Sequence, residues 1–245
     1  VSFKSKTPKS SWGFCFLELE LEWMMRPLWI WIALLALATV IYFPALKGGF
    51  LFDDMPNIVD NPAVHLTSFS FSGLKDSLAG LSAGPLGRPV SVWSFALTHL
   101  FFGLDAYAFK AINLAIHLAN GLLVGWFVSL LLHRALPPMK LSAQTRKWLP
   151  VWVAAVWLVH PIHFVAAMMA VQRMTLLAGM FTLMGLIAYL KALEDDRRKW
   201  MWLGLGWLVC WPLAFLSKET GFLFPIFPLV TAIFDKASAG LPKSH

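Results

Sequence analysis

The chain has 245 residues, of which 58% are apolar and only 13% charged, with 13 Trp and 20 Phe, and its mean hydropathy is +0.67. A soluble domain of this length has too little interior to hide so much apolar surface, so lipid must solvate most of it; a disordered tail, a disulfide scaffold and a coiled coil are excluded. The net charge of +7 does not point to nucleic acid, because the basic residues fall in short connectors between apolar runs, where they orient a membrane protein, and Cys15 and Cys210 are too far apart, in unlike contexts, to define a disulfide framework or a zinc site.

The first apolar run, Pro27 to Leu46, carries no charge and is long enough to cross the hydrocarbon as an uncleaved anchor. Residues 1–26 form a cytoplasmic N-terminal extension with Lys4, Lys6, Lys9, a Leu-Glu alternation and Met24-Met25-Arg26; the Met-Met-Arg string has the pattern of an internal start site, which makes 1–23 an upstream extension with no part in the fold. After the anchor the polar region from Lys47 to about Gly87 carries Asp53, Asp54, Asp60 and Asp76 against Lys47 and Lys75. A short apolar stretch, Pro89–Gly103, precedes a long one, Ala108–Leu132; the connector from Arg134 to Lys147 then holds Arg134, Lys140, Arg146 and Lys147 with no acid. Further runs cover Trp148–Val171, Met174–Leu190, Trp200–Leu216 and Gly221–Phe234, the second and third of these separated by the charged 191–199 connector.

Positive-inside bias makes Arg26 and the connectors 134–147 and 191–199 cytoplasmic. An odd number of crossings must then separate the acidic first loop from the connector at 134, so the 89–103 stretch lies in the outer interface and does not span. The expectation is an all-α, polytopic membrane helix bundle with about six transmembrane helices and interfacial helices in a long first outer loop, 47–107. The transmembrane domain covers 27–234, with a cytoplasmic tail over 235–245.

This topology puts the remaining polar clusters on the outer side. Adjacent Asp53 and Asp54 can divide labour, one taking a proton from an attacking hydroxyl while the other orients it, or the two can hold a divalent ion; a turn or helix-capping role is an equal reading. Arg173 and Lys218, with Arg88, can supply positive charge to a phosphate, although each taken singly suits snorkelling toward lipid head groups. His160 and His163 have a spacing that can chelate zinc, but no matching ligand lies nearby, and a proline kink with interfacial histidines is the simpler reading. Asn113, His117 and Asn120 form one helical stripe, best suited to interhelical hydrogen bonds.

The string Gly49-Phe50-Leu51-Phe52-Asp53-Asp54-Met55-Pro56-Asn57-Ile58-Val59-Asp60-Asn61-Pro62, taken with Arg88-Pro89, Asn113 to Asn120, His160-Pro161, Gln172-Arg173 and Ser217-Lys218-Glu219, resembles the amino-terminal half of a GT-C superfamily polytopic glycosyltransferase. It is closest to bacterial relatives of protein O-mannosyltransferases and of transmembrane-and-tetratricopeptide-repeat mannosyltransferases, over about residues 27–234. The resemblance implies transfer of a sugar from a polyprenyl-phosphate donor to a protein or glycan acceptor, on the periplasmic face of a bacterial inner membrane, with no organic cofactor. It assigns the acceptor side to Asp53 and Asp54, with Asp53 as base, and the donor phosphate to Arg173, Lys218 and Arg88; Glu219, His160 and Gln172 support the site. Members of the superfamily usually carry more spans, so the resemblance also allows for a second polypeptide that completes the domain. The rival classes are a truncated, non-catalytic membrane partner or scaffold and, with less support, a transporter; the latter would place charges near the bilayer midplane in an inverted repeat that is not evident.

Overall fold

A computed structural model describes residues 28–69, 73, 75, 87–135 and 141–231. The extension 1–26, the tail 235–245, Cys15, Asp76 and Lys140 lie outside the described residues. Every regular element among the described residues is helical. Helix α1 (Leu28–Tyr42) runs into a 3₁₀ turn over Phe43–Lys47; short turns over Met55–Val59 and Pro62–Val64 follow in the first loop. Then come α2 (Pro89–Phe102), α3 (Ala106–Ala135), α4 (Ala143–Val159) and α5 (His163–Met168). The chain closes with α6 (Arg173–Glu194), entered by a 3₁₀ turn over Ala170–Gln172, α7 (Lys199–Ser217) with an internal π-turn over Leu205–Cys210, and α8 (Glu219–Thr231).

Four of these segments are long and apolar enough to cross a membrane: Leu28–Lys47, Ala106–Arg134, Ala170–Glu194 and Lys199–Ser217. Helix α2, with 14 residues, rises only about 21 Å at 1.5 Å per residue and falls short of a bilayer core of about 30 Å. Its bounds agree with the stretch expected to lie along the interface. The expected third span, 148–171, is not one helix. Helix α4 starts earlier, where the Ser142 hydroxyl caps the Thr145 N–H at 3.0 Å, and stops at Val159 just ahead of Pro161. Proline lacks the N–H that would continue the helix and restricts the residue before it. The Ile162 N–H instead reaches Nδ1 of His160 at 3.2 Å, and the chain turns through short α5 before α6 begins.

The helices alternate in direction. The start of α3, the ends of α1, α4 and α7 and the start of α6 share one end of the bundle, because Lys110 Nζ donates to the Gly48 carbonyl, His117 bonds the Leu158 carbonyl, Asn113 donates to Met169, and Lys218 donates to Thr175. The basic connectors lie at the opposite end, where Arg146 donates to the Leu132 carbonyl. Close approach of α4 and α1 to α3 needs glycine: a Cβ at Gly121 would overlap the Leu158 side chain of α4, and one at Gly125 would come within 2.6 Å of the Trp31 ring of α1. Trp31, Leu34 and Ala38 of α1 pack on Val151, Ala154 and Leu158 of α4. A second cluster gathers Ile58 and Val64 of the first loop with Val92, Phe95, Phe109, Val171 and Met174. This apolar plug fastens the loop onto the bundle end, and about 25 cal/mol per Å² of buried apolar area supports it.

Candidate functional site at the polar end of the bundle

The two adjacent acids have opposite surroundings. Asp54 is fully buried. Its Oδ1 accepts from the Val171 N–H at 2.7 Å, and its Oδ2 from the N–H groups of Leu51 at 3.1 Å and Ala170 at 3.3 Å. The carboxylate therefore caps the turn that opens α6, where free N–H groups and the helix dipole favour negative charge. Asp53 is exposed; its backbone carbonyl accepts from Asn57 Nδ2 at 2.8 Å, and its carboxylate makes no hydrogen bond among the described residues. Phe52, just before it, takes a left-handed φ of +47° and leaves 82% of its surface exposed. A bulky residue in that region is strained, and the kink turns neighbouring carboxylates to opposite environments. One carboxylate is thus fully engaged by N–H groups, while the other makes no hydrogen bond among the described residues. Among the described residues no group of three or more His, Cys, Asp or Glu is arranged to hold a metal.

Arg173 is also fully buried. Its Nε donates to Asn113 Oδ1 at 2.8 Å, its Nη1 to the Ser94 carbonyl at 2.8 Å and Thr98 Oγ1 at 2.7 Å, and its Nη2 to the Phe109 carbonyl at 3.0 Å. Phe95 and Phe109 lie against the guanidinium at 5.1 and 5.2 Å. This is a clamp joining α2, α3 and α6, with the charge compensated by oxygens and aromatic faces. Such a guanidinium has little left to offer a ligand. The geometry separates it from the two other basic residues expected to share its task.

Arg88 and Lys218 stand at the rim. Arg88 caps α2 with a left-handed φ of +46°, and its Nη2 lies 2.9 Å from Glu219 Oε2, with the two side chains 22% and 33% exposed. Lys218 is extended between α7 and α8; its Nζ donates to Thr175 Oγ1 at 2.7 Å, and that hydroxyl donates to Gln172 Oε1 at 2.7 Å. Burial lowers the Lys218 ammonium from its ordinary value, and the Arg88 charge lowers it further while Glu219 opposes. Hydrogen bonds from Arg88 hold the Glu219 carboxyl below the usual range. Asp54 grips Ala170 and Val171 while Lys218 grips Thr175, so the anchored acid and the basic rim straddle about one turn, roughly 6–8 Å along the α6 entry.

His160 is exposed and its Nδ1 closes the turn at Ile162. His163 packs instead against Trp157 at 4.3 Å and His117 at 5.7 Å. The stripe on α3 does make interhelical hydrogen bonds: Asn113 Nδ2 donates to Met169 and Ala170, His117 Nε2 meets the Leu158 carbonyl, and Asn120 Nδ2 donates to Leu176. Sequence reasoning missed Lys110, which is 2% exposed and holds the Gly48 carbonyl at 2.8 Å. The signal was present, since Lys110 continues the stripe of Asn113, His117 and Asn120 by three residues and a charge inside an apolar run is costly. It also missed Ser91, whose buried hydroxyl donates to the Ser217 carbonyl at 2.8 Å and sets the end of α7 against α2.

Asp53, Asp54 and Glu219 thus share one end of an all-helical bundle with the rim cations Arg88 and Lys218, and the first loop is folded onto that end. The chain is 27% identical over 196 residues to the human protein O-mannosyl-transferase TMTC2 (76% of this chain, 22% of that protein) and 25% identical over 213 residues to human TMTC4 (81% and 28%). A Drosophila melanogaster relative, Tmtc2, is 29% identical over 210 residues, or 82% of this chain and 21% of that protein. The chain thus spans about a fifth to somewhat over a quarter of the length of these relatives, which are in line with the superfamily resemblance carried by the motifs. No family model matches the chain, and no solved structure matches it.

Proposed function

We propose that the chain forms the catalytic end of a membrane glycosyltransferase that moves a sugar from a polyprenyl-phosphate donor to a protein or glycan acceptor on the outer face. The observation that carries this reading is the exposed Asp53 carboxylate beside buried Asp54, which is fixed to the Ala170–Val171 turn at the α6 entry, about one turn ahead of the Thr175 that Lys218 reaches. Asp53 takes the proton from the acceptor hydroxyl, whose oxygen attacks the anomeric carbon. The bond from that carbon to the phosphate oxygen breaks, and Lys218 and Arg88 stabilise the charge that grows on the leaving phosphate. Asp54 and Arg173 are positioning residues in this reading, and Gln172, Glu219 and His160 shape the surroundings. The relatives' name, protein O-mannosyl-transferase, supports sugar transfer and a protein acceptor. The basic connectors at the far end of the bundle support an outward-facing site.

The test is glycan transfer in cells lacking the endogenous activity, with any polypeptide that completes the domain co-expressed. Asp53→Asn keeps shape and loses proton acceptance, so transfer falls by about 10²–10⁴ at normal membrane levels. Lys218→Ala removes one charge-assisted contact and weakens donor binding by about ten- to a hundredfold. Full transfer by the Asp53→Asn, Asp54→Asn double variant refutes the reading, and absence of transfer by the parent chain with its partner favours a scaffold.

A further inference from the structure

Glu219 sits where a phosphate would be expected. Arg88 Nε donates to both its carboxylate oxygens, at 3.0 and 3.1 Å, while Nη2 reaches Oε2 at 2.9 Å and Nη1 turns to Met174 Sδ at 2.9 Å. The carboxylate therefore fills the side of the guanidinium fork that takes two phosphate oxygens. Lys218 immediately precedes Glu219 and shares this field. With Glu219 in place the three groups carry one net positive charge; with it withdrawn from the fork, the two cations face a ligand alone. The ion pair is partly open to solvent, and exposed pairs of this kind exchange partners at small cost. Arg88 is held in this pose by a left-handed backbone, a conformation that persists only where the surroundings impose it.

We propose that Glu219 is the resident anion of the phosphate site, occupying the Arg88 fork without ligand and yielding it to phosphate oxygens, so that it sets the preference between phosphate diester and phosphate monoester. This rests on the donor-phosphate reading above. In that reaction the electron pair of the broken bond stays on the phosphate, and the acceptor proton goes to Asp53. A diester with one negative charge becomes a monoester with two at neutral pH. A site carrying two unopposed cations would grip that dianion tightly; the competing carboxylate loosens it and speeds its release.

Titration calorimetry on the full chain in lipid nanodiscs, with farnesyl monophosphate and with its methyl diester, tests the proposal. Glu219→Gln keeps the shape and removes the charge, so monoester affinity rises about tenfold while diester affinity moves by less than about threefold. A folded Glu219→Gln protein whose monoester-to-diester ratio is unchanged or lowered overturns the proposal. Should that variant fail to insert, Glu219→Asp withdraws the carboxylate by one methylene; it must shift the ratio in the same direction, and no shift is equally fatal. Lys218→Ala separates the two levels. If it weakens monoester binding but neither Glu219 variant strengthens it, only the role of Glu219 fails; if wild type binds neither probe, or Lys218→Ala has no effect, the phosphate site fails and takes the proposal with it.

Discussion

Two polar nodes stand at the same end of the bundle. The inner residues are Arg173, Asp54 and Asn113, all fully buried; the outer ones are exposed Asp53 and, at the rim, Lys218 with the partly exposed Arg88–Glu219 pair. The residue types are almost the same. What separates them is how many partners the protein itself supplies: four protein acceptors receive the Arg173 guanidinium and three N–H groups meet the Asp54 carboxylate. A charge so fully satisfied fixes helices in place, because any ligand would have to displace the bonds that offset its burial. At the rim, partial exposure and exchangeable partners leave charge available for chemistry.

The comparison is broken most directly by Arg173→Ala. It leaves a cavity between α2, α3 and α6 and strands Asn113 Oδ1 without its donor, and should cost about 3–5 kcal/mol. Thermal unfolding in detergent measures this, whereas Lys218→Ala at the rim should stay within about 0.5 kcal/mol. Equal losses from the two would erase the distinction. Asp54→Asn comes next: both carboxylate oxygens accept from N–H groups, whereas an amide keeps one acceptor oxygen and turns its NH2 toward donors, so about 1–3 kcal/mol should go from the seam between first loop and α6. Faster hydrogen exchange at Val171 than at Asn57 would locate the damage at that seam.

The body of the fold was legible in the sequence because apolar runs of spanning length leave the chain few alternatives in lipid. Helix α2 appeared at its expected bounds, opened by Pro89 and closed by Gly103 at a φ of +61°. The third run misled, since continuous hydropathy over Trp148–Val171 hides the break that Pro161 imposes. The nodes were legible as a set of residues and not as roles. Asp53 and Asp54 are neighbours in sequence, and only the left-handed turn at Phe52 and N–H groups more than a hundred residues away send one inward and leave the other outside. Arg173 carried no mark distinguishing it from Lys218, because its acceptors are backbone carbonyls and neutral side chains drawn from two other helices.

Smaller effects sharpen the contrast. Phe52→Gly relieves a left-handed φ and frees the unfolded chain, two effects that oppose each other, so stability should change by less than about 1 kcal/mol. Transfer should drop regardless, because the kink no longer aims Asp53; unchanged transfer would mean that the strain has no bearing on the acid. The smallest effect is the pH dependence of the rim pair. Arg88 holds Glu219 below its ordinary value of 4.5, so the pair's contribution is complete above that pH and is lost as pH falls through the lower folded value. The melting difference between wild type and Glu219→Gln should therefore shrink on acidification from pH 6 to pH 3, and growth of that difference would show the sign to be wrong.

The Leu158 carbonyl accepts from Tyr42 Oη at 3.2 Å and bonds His117 Nε2 at 2.9 Å, and the side-chain amides of Asn113 and Asn120 find their acceptors between residues 169 and 176. During synthesis α1 and α3 leave the ribosome before any of those acceptors exists. Until then they bring hydroxyl, imidazole and amide groups into lipid without their final partners, a state in which each unpaired group is costly. Biogenesis of this protein therefore has a built-in waiting period, ending only when the segment around Leu158 to Leu176 emerges, and a nascent chain arrested before it would be the form most dependent on the insertion machinery.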